Sequence, residues 1–393
     1  MPYPKRDGES IAIDMLCDGL QAEGADLDLL AMNTSKHYSA FSGDNKESHP
    51  FSSIDSTKVD NRIKVKDAFL NLFSSESYHI SRFVSDDFRA KLIEKLREKE
   101  YDVIQLETLY LCPYIETIRE YSDAKIVLRA HNVEHEIWER VGSNESNVLK
   151  KIYLKYLSHK LKRFEINVLN QIDLLLPISK RDAQQFVAMG CDRPLQVIPI
   201  GVKFKEEDQS ELVYRNPISF GFIGSLDWIP NLEGLTWFID QVWKPFYDEH
   251  PEVQFNIAGR NTPDWLQSAK WPGVNIHGEV ESAAEFTKLN EVMIVPLLSG
   301  SGMRAKILEA LALGRNLITT SVGIEGIEAD DLNAVYIADK AEDFRAHLKT
   351  LVGLNGEVKR DGTIASQVIS KKYNHREVAS ALYQRYQNYY AEL

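Results

Sequence analysis

The sequence reads Gly300-Ser301-Gly302-Met303-Arg304-Ala305-Lys306-Ile307-Leu308-Glu309-Ala310-Leu311-Ala312-Leu313-Gly314 just after an apolar run, Glu291–Leu298. This order predicts a buried strand that ends in a glycine/serine loop and leads into a helix. The N–H groups and the positive dipole end at such a helix start suit a phosphate group. Lys306 and Glu309 lie three positions apart and therefore share one helix face. The stretch predicts a site for a phosphate followed by a hydroxyl-bearing ring.

A simpler interpretation of the same stretch needs no ligand. In that alternative it is a capped surface helix, with Ser301 as its N-cap and Gly314 as its C-terminal stop. The spacing of residues does not separate the two interpretations.

Apolar, β-branched runs alternate with helical patterns along the whole chain. This rhythm predicts two doubly wound α/β domains, each with a parallel sheet covered by helices on both faces. A ligand is expected in a central cleft, at the carboxyl ends of the strands. The runs are residues 25–32, 62–67, 101–107, 125–132, 173–179 and 194–201 in the first half, and 218–225, 253–260, 274–280, 291–298, 316–321 and 334–339 in the second.

The bulk composition excludes several classes of function. The 393 residues carry a net charge of −12, which argues against a general nucleic-acid-binding protein. The three cysteines are scattered and odd in number, so they indicate neither a disulfide framework nor a metal cluster, and a reducing cytoplasm is the expected location. No apolar stretch reaches the roughly 20 residues that a membrane-spanning helix needs.

The segment 300–314 resembles the donor-binding signature of GT-B-type retaining glycosyltransferases of family four. The resemblance implies that Glu309 holds the ribose of a nucleotide sugar, and that Ser301, Gly302, Met303, Arg304 and Lys306 surround its diphosphate. Most members have two glutamates in the pattern Glu-x7-Glu, and in this chain Ser301 stands at the position of the first. A glycine/serine-rich loop followed by Arg-x-Lys is similar to a recognised subgroup of the family.

Three further segments carry the resemblance. His131-Asn132-Val133-Glu134, after an apolar strand, is similar to a family motif and implies that His131 contacts the donor sugar or the acceptor. The Gly224-Ser225 loop is similar to the glycine loop of the second domain. Many family members have an Arg and a Lys after this loop, which bind the diphosphate. Because this chain has neither there, we expect Lys306, Arg304 and Arg260 to bind the diphosphate instead. Gly8 corresponds to the glycine loop of the first domain.

The resemblance also implies a domain plan. Residues 1–201 form an N-terminal, acceptor-side Rossmann-like domain, 202–216 a polar linker, and 217–375 the nucleotide-sugar-binding domain. Residues 376–393 form a terminal helix that crosses back to the first domain. The strand that the family places before the Gly8 loop has no counterpart here, so we expect an incomplete first sheet and a native start further upstream.

The implied activity is transfer of a hexose from a nucleoside-diphosphate sugar to an acceptor hydroxyl with retention, in bacterial surface polysaccharide or glycan assembly. Neither a metal nor another cofactor is expected. The acceptor, whether a glycan, a lipid-linked sugar or a small molecule, is open. Two alternatives share the architecture: a nucleotide-sugar 2-epimerase and a catalytically silent binding or scaffold protein.

One basic stretch stands out against the acidic total. Residues 149–164 contain five lysines, one arginine and no acidic residue. Its apolar stripe makes it similar to helices that lie on anionic membranes, which predicts a peripheral membrane contact. An ordinary core-packed helix with a solvated face is the alternative.

Overall fold

The computed structural model describes residues 8–35, 38, 49–71, 73–74, 76–203, 215, 217–300, 302–329, 332–354 and 357–391. The chain divides into two compact units. Unit 1 comprises residues 1–201 together with 375–393, and unit 2 comprises residues 202–374. Each unit is described by itself below.

Unit 1 alternates helices with parallel strands. Its strands are β1 (Asp28–Thr34), β2 (Ser53–Val59), β3 (Val103–Leu106), β4 (Lys125–Ala130) and β5 (Leu174–Pro177). Its helices are α1 (Gly8–Ala22), α2 (Val65–Asn71), α3 (Tyr78–Ser81), α4 (Asp86–Glu98), α5 (Ile115–Tyr121), α6 (Glu134–Asn144), α7 (Val148–Leu169), α8 (Lys180–Ala188) and the terminal helix His375–Ala391, with a 3₁₀ turn at Leu109–Tyr114.

The described strands of unit 1 form two separate sheets. β1 pairs with β2, and β3, β4 and β5 form a second sheet in that order. The expected missing strand before Gly8 falls on residues outside the described part of the chain and stays a prediction. Lys99, just before β3, bonds Asp26 and Asp28 at the start of β1, at 2.7 and 2.8 Å. A salt bridge therefore links the two sheets within the described part of unit 1.

One predicted strand of the first half is wrong, and another is formed only in part. Residues 62–67 form a loop and the start of α2, with Ile63 exposed, whereas the real strand is β2. β2 escaped prediction because its sequence, Ser-Ile-Asp-Ser-Thr-Lys-Val, is mostly polar. Residues 194–201 form no regular strand, but they pair with β5: Leu195 bridges Leu175, and the N–H groups of Gln196 and Ile198 donate to the carbonyls of Leu175 and Pro177 at 3.0 and 2.9 Å.

The described residues of unit 2 form one parallel sheet of six strands. They are β6 (Ser219–Ile223), β7 (Gln254–Ala258), β8 (Val274–Gly278), β9 (Val292–Val295), β10 (Asn316–Thr319) and β11 (Val335–Ile337). The spatial order is β11-β10-β9-β6-β7-β8. From β6 the chain adds β7 and β8 on one side and then β9, β10 and β11 on the other, so the strand order reverses between β6 and β9. Doubly wound sheets bind their ligands at such a point.

Helices cover this sheet and continue the numbering. They are α9 (Ile229–Phe238), extended by a π-helical turn at Ile239–Trp243, then α10 (Lys244–Tyr247), α11 (Asp264–Gln267), α12 (Ala283–Lys288), α13 (Ala305–Ala312), α14 (Ala341–Gly353) and α15 (Glu357–Lys372). The buried core between them is rich in aromatic rings, among them Phe220, Phe238 and Trp243.

The terminal helix, α16 (His375–Ala391), belongs to unit 1 and packs against α1. A Cβ placed on Gly19 of α1 would lie 2.3 Å from the Cβ of Ala379. Leu16 and Leu20 of α1 share an apolar core with Leu382 of α16. The last helix of the chain therefore closes the first unit, as the fold prediction requires.

Candidate active site

The loops after β6 and β7 meet at the carboxyl edge of the sheet of unit 2. The Gly224 N–H donates to the Ala258 carbonyl at 3.2 Å, and the Leu226 N–H donates to the Arg260 carbonyl at 2.8 Å. A Cβ on Gly259 would lie 2.0 Å from the Gly224 oxygen, so this approach requires glycine. The structure therefore brings three predicted donor-binding residues, Gly224, Ser225 and Arg260, to one edge.

Lys306 reaches the same turn from α13. Its Nζ donates to Oδ1 of Asn231 at 2.9 Å and lies 4.8 Å from the centre of the Phe222 ring. Nδ2 of Asn231 in turn donates to the Ser225 carbonyl at 2.8 Å. A Cβ on Gly224 would come within 3.3 Å of Nζ. The chain thus brings a cation to a glycine turn whose own sequence supplies none.

The glycine-rich loop before α13 places a second cation nearby. Arg304 donates from Nη1 to the Gly302 carbonyl at 2.6 Å, and its guanidinium lies 6.0 Å from the Trp228 ring centre. Gly300 and Gly302 have φ angles of 120° and 77°, a left-handed region that favours glycine. Met303 is buried, and Ser301 lies outside the described residues.

The boundaries of α13 bear on the alternative of a capped surface helix. The helix begins at Ala305 with Arg304, not Ser301, at the N-cap position, and no side chain caps it. The N-cap half of that alternative is therefore wrong. Gly314 has a φ of 69° just beyond the last turn, which confirms it as the C-terminal stop.

The two ionisable residues of α13 are both partly buried, and burial acts on their pKa values in opposite directions. Burial, with a smaller contribution from Arg304, lowers the pKa of Lys306 to about 7. Burial also raises the pKa of Glu309. In each case the surroundings disfavour the charged form. A bound phosphate would favour the Lys306 ammonium, because an opposite charge stabilises it.

In unit 1 the carboxyl edge of β3 and β4 carries His131, which is buried. Its Nε2 lies 2.9 Å from Oε2 of Glu107, and Nη1 of the fully buried Arg129 lies 3.4 Å from the same oxygen. Burial by itself would raise the pKa of Glu107. Arg129, His131 and Gln105 together outweigh burial and hold this pKa at about 2. Glu107 is therefore an ionised carboxylate that orients the imidazole.

A second carboxyl group lies close by in the His131 segment. Glu134 accepts a hydrogen bond from the Tyr110 hydroxyl at 2.9 Å. Burial, and then the charge of Glu165, raise the pKa of Glu134 to about 7. The charge of Glu9 acts in the same direction, so the start of α1 lies near this edge. Gly8, the first residue of α1, is exposed there.

Two residues of these clusters escaped the sequence analysis. Asn231 carries no charge, and its partner Lys306 lies far along the chain. Glu107 follows a short apolar strand directly, and an acid in that position at the carboxyl edge of a parallel sheet was a usable signal. His131 and Gly8 lie in unit 1, whereas the other predicted site residues lie in unit 2.

The described residues contain no group of three or more histidine, cysteine, aspartate or glutamate side chains that suits a metal ion. The Asp26-Leu27-Asp28 pair bonds Lys99 instead. Within the same residues, no helix is long and apolar enough to span a bilayer.

Comparison with known proteins agrees with this architecture. Residues 217–353 match the family described as Glycosyl transferases group 1. A Klebsiella pneumoniae protein, described as an uncharacterized 44.6 kDa protein in the cps region, is 26% identical over 307 residues, which cover 75% of this chain and 76% of the relative.

Solved structures share the fold over nearly the whole chain. Sucrose-phosphate synthase from Thermosynechococcus elongatus has a TM-score of 0.69 at 12% identity, covering 100% of this chain and 97% of that one. A trehalose-phosphate synthase from Burkholderia xenovorans, in complex with glucose-6-phosphate, has a TM-score of 0.64 at 13% identity, with 98% and 97% covered. An E. coli trehalose-6-phosphate structure bound with UDP-2-fluoro glucose has a TM-score of 0.62 at 14% identity, with 98% and 96% covered.

These likenesses confirm the predicted fold class, an α/β GT-B fold with two Rossmann-like domains. The matched domain confirms the predicted enzyme class, a glycosyltransferase. The family-four subgroup, the Glu-x7-Glu comparison and the individual site residues stay predictions.

Proposed function

We propose that this protein transfers a hexose from a nucleoside-diphosphate sugar to an acceptor hydroxyl, with retention and without a metal. The observation that carries the proposal is the position of Lys306. Its ammonium lies at the Gly224 turn, beside Arg304 and the start of α13. This is the point where the order of strands in the sheet of unit 2 reverses. Two cations, backbone N–H groups and a helix dipole suit a diphosphate.

Each residue has a stated task in this proposal. Lys306 and Arg304 stabilise the negative charge that develops on the diphosphate as the glycosidic bond breaks. Glu309 accepts hydrogen bonds from the ribose hydroxyls. His131, oriented by Glu107, positions the donor sugar or the acceptor, and the departing phosphate takes the proton of the acceptor hydroxyl. No step requires a metal ion.

The Klebsiella relative from a cps region supports a role in surface polysaccharide assembly. The solved neighbours with bound UDP-2-fluoro glucose and glucose-6-phosphate support a nucleotide sugar as donor and a sugar as acceptor. We therefore propose a saccharide acceptor, carried either by a glycan or by a lipid.

Thermal unfolding in the presence of nucleotides tests the proposal first. Ligands that bind the folded state alone raise the midpoint by mass action. We expect one of UDP, GDP or TDP, and its sugar, but not CMP, to raise the midpoint selectively in the wild type and not in Glu309→Ala. Incubating that sugar nucleotide with saccharide acceptors and following the anomeric proton by NMR then tests retention.

The other outcomes identify the alternatives. Release of a changed nucleotide sugar without any acceptor would indicate a 2-epimerase. No response to any nucleotide would contradict the proposal and favour a silent scaffold.

We also propose that α7 contacts an anionic membrane surface. Leu149 and Ile152 are 79% and 62% exposed on this helix, and five of the six basic residues of segment 149–164 reach the surface of a chain of net charge −12. The sixth, Lys160, is buried and donates to the carbonyls of Asn71 and Ser74. An exposed apolar stripe flanked by lysines is suited to anionic lipid. Because the whole protein is acidic, only a local basic surface such as this one can be attracted to anionic lipid.

Sedimentation with phosphatidylglycerol vesicles tests the membrane contact. We expect Leu149→Ser/Ile152→Ser to release the protein from these vesicles. The matched control is Ile364→Ser/Val368→Ser on α15, where the residues are 48% and 42% exposed. Equal binding by the two double variants, or equal binding of the wild type to neutral vesicles, would contradict the proposal.

A further inference from the structure

Asn231 is the residue of unit 2 whose contacts the proposed function leaves unused. It lies in the first turn of α9 and is 4% exposed, although it is polar. Its amide makes two hydrogen bonds of opposite sense: Oδ1 accepts from Nζ of Lys306 at 2.9 Å, and Nδ2 donates to the Ser225 carbonyl at 2.8 Å. The amide is therefore fixed at both ends, with its acceptor pointing at the lysine.

We propose that Asn231 is a positioning residue, whose amide holds the Lys306 ammonium at the Gly224 turn so that it meets the diphosphate of the donor. This inference rests on the proposed function, since it assumes that Lys306 binds the diphosphate.

The geometry around Gly224 supports this role. A Cβ at Gly224 would lie 2.9 Å from Nδ2 of Asn231 and 3.3 Å from Nζ of Lys306. The amide, the ammonium and the turn thus share one small space. Because a lysine side chain is long and flexible, a fixed acceptor is needed to keep its head group in one place.

The electrostatic surroundings make that acceptor important. Lys306 is desolvated, and the charge of Arg304 in the preceding loop opposes its own, so that its pKa lies at about 7. Among the described residues no acidic group offsets these effects, and Asn231 supplies the acceptor oxygen. A phosphate that binds here favours the protonated lysine, so donor binding is coupled to uptake of a proton by Nζ from solvent.

Calorimetry measures this uptake directly. The probe is UDP, or whichever of UDP, GDP and TDP raises the midpoint of the wild type most, titrated in buffers of different ionisation enthalpy between pH 6 and 9. With a pKa of about 7, the wild type should take up about 0.1 proton at pH 6 and about 0.9 at pH 8. Lys306→Met, measured in parallel, gives the contribution of the nucleotide's own phosphate.

Two variants of Asn231 separate positioning of the lysine from bracing of the loop. Asn231→Ala and Asn231→Asp both lose the donor to the Ser225 carbonyl. They differ at Lys306, because alanine removes the acceptor and aspartate replaces it with a charged one. We expect the uptake curve to move to lower pH in Asn231→Ala and to higher pH in Asn231→Asp, and we expect Asn231→Ala to weaken UDP binding about tenfold at pH 8.

The double variant completes the test. In the Lys306→Met background, Asn231→Ala should cause no further loss of nucleotide affinity if the amide acts through the lysine. Equal uptake curves in both Asn231 variants, or an equal loss of affinity with and without Lys306, would overturn the inference while the proposed function stands. Absence of nucleotide binding by the wild type would overturn both.

Discussion

The imidazole of His131 is held by Glu107, whose Oε2 lies 2.9 Å from Nε2 of the ring. The same carboxylate is the ionic partner of Arg129, which is fully buried. Replacing Glu107 with Gln leaves a buried guanidinium without a counter-charge. We expect Glu107→Gln to lower the free energy of unfolding by about 3 kcal/mol at pH 7.

This stabilisation should depend on pH in a defined direction. The pKa of Glu107 lies at about 2 in the folded state, below its ordinary value of 4.5. The contribution is therefore complete above pH 4.5 and is lost as the pH falls toward 2. Urea unfolding of the wild type and Glu107→Gln should converge in acid, whereas Glu139→Gln, at an exposed position, should match the wild type throughout. A difference that stays constant down to pH 2 would contradict the assignment.

Lys306→Met should reduce the rate of sugar transfer about 100-fold to 1000-fold, because it removes a cation from the developing charge of the leaving group. Folding stability at pH 7 should not fall, since the methionine avoids the desolvation of an ammonium. Initial rates and urea unfolding measure the two effects. Lys270→Met, on the exposed surface, serves as the control. An unchanged transfer rate in Lys306→Met would remove the lysine from the mechanism.

The lysine should also give the stability a pH dependence. Its pKa is about 7 when folded, against a reference value of 10.5. Between these values the unfolded chain binds more protons, so the unfolding free energy of the wild type should rise with pH relative to Lys306→Met. Denaturant titrations from pH 6 to pH 10 measure this difference. A constant difference would mean that the lysine titrates normally.

Glu309→Ala should separate recognition of the ribose from recognition of the diphosphate. A carboxylate that accepts hydrogen bonds from hydroxyl groups contributes to nucleotide binding and not to pyrophosphate binding. We expect UDP, or the preferred nucleoside diphosphate, to bind at least about tenfold more weakly to the variant. Pyrophosphate should bind equally to both proteins. Glu285→Ala, at an exposed position, controls for the loss of negative charge.

Gly224→Ala should weaken diphosphate binding with little effect on folding. The added methyl group would meet Nδ2 of Asn231 at 2.9 Å and Nζ of Lys306 at 3.3 Å, so it would displace the ammonium. We expect kcat/KM to fall about tenfold, equivalent to 1.4 kcal/mol. Gly353→Ala is the matched control, because a Cβ there meets no atom within 4 Å. A similar kcat/KM in the two variants would show that the turn accommodates a methyl group without displacing the ammonium, and would contradict the prediction.

Most strands of unit 2 could be predicted because they are short apolar runs, and a buried parallel strand has such a sequence. The exception is β8, Val-Asn-Ile-His-Gly, in which apolar and polar residues alternate. Strand β2 could not be recognised in this way, since its residues are mostly polar. The nearby stretch 62–67 alternates apolar and charged residues and yet forms a loop and a helix start. Alternation alone therefore did not identify a strand.

The predictions of the site had a similar limit. Lys306 and Glu309 were recognisable because they share one helix with the glycine loop. The bond between Asn231 and Lys306 joins residues 75 positions apart, and such a contact follows from the order of strands in the folded sheet. Spacing along the chain contains no information about it. The same holds for His131 and Glu107, which come from neighbouring strands.

The contact between Gly19 in α1 and Ala379 in α16 has a consequence for synthesis on the ribosome. Unit 2 is continuous in sequence, whereas unit 1 needs residues 375–393 to complete its core. Translation delivers those residues after the whole of unit 2. We therefore expect unit 2 to fold before unit 1, although synthesis of unit 1 starts earlier, because unit 1 lacks α16 until residues 375–393 have been made.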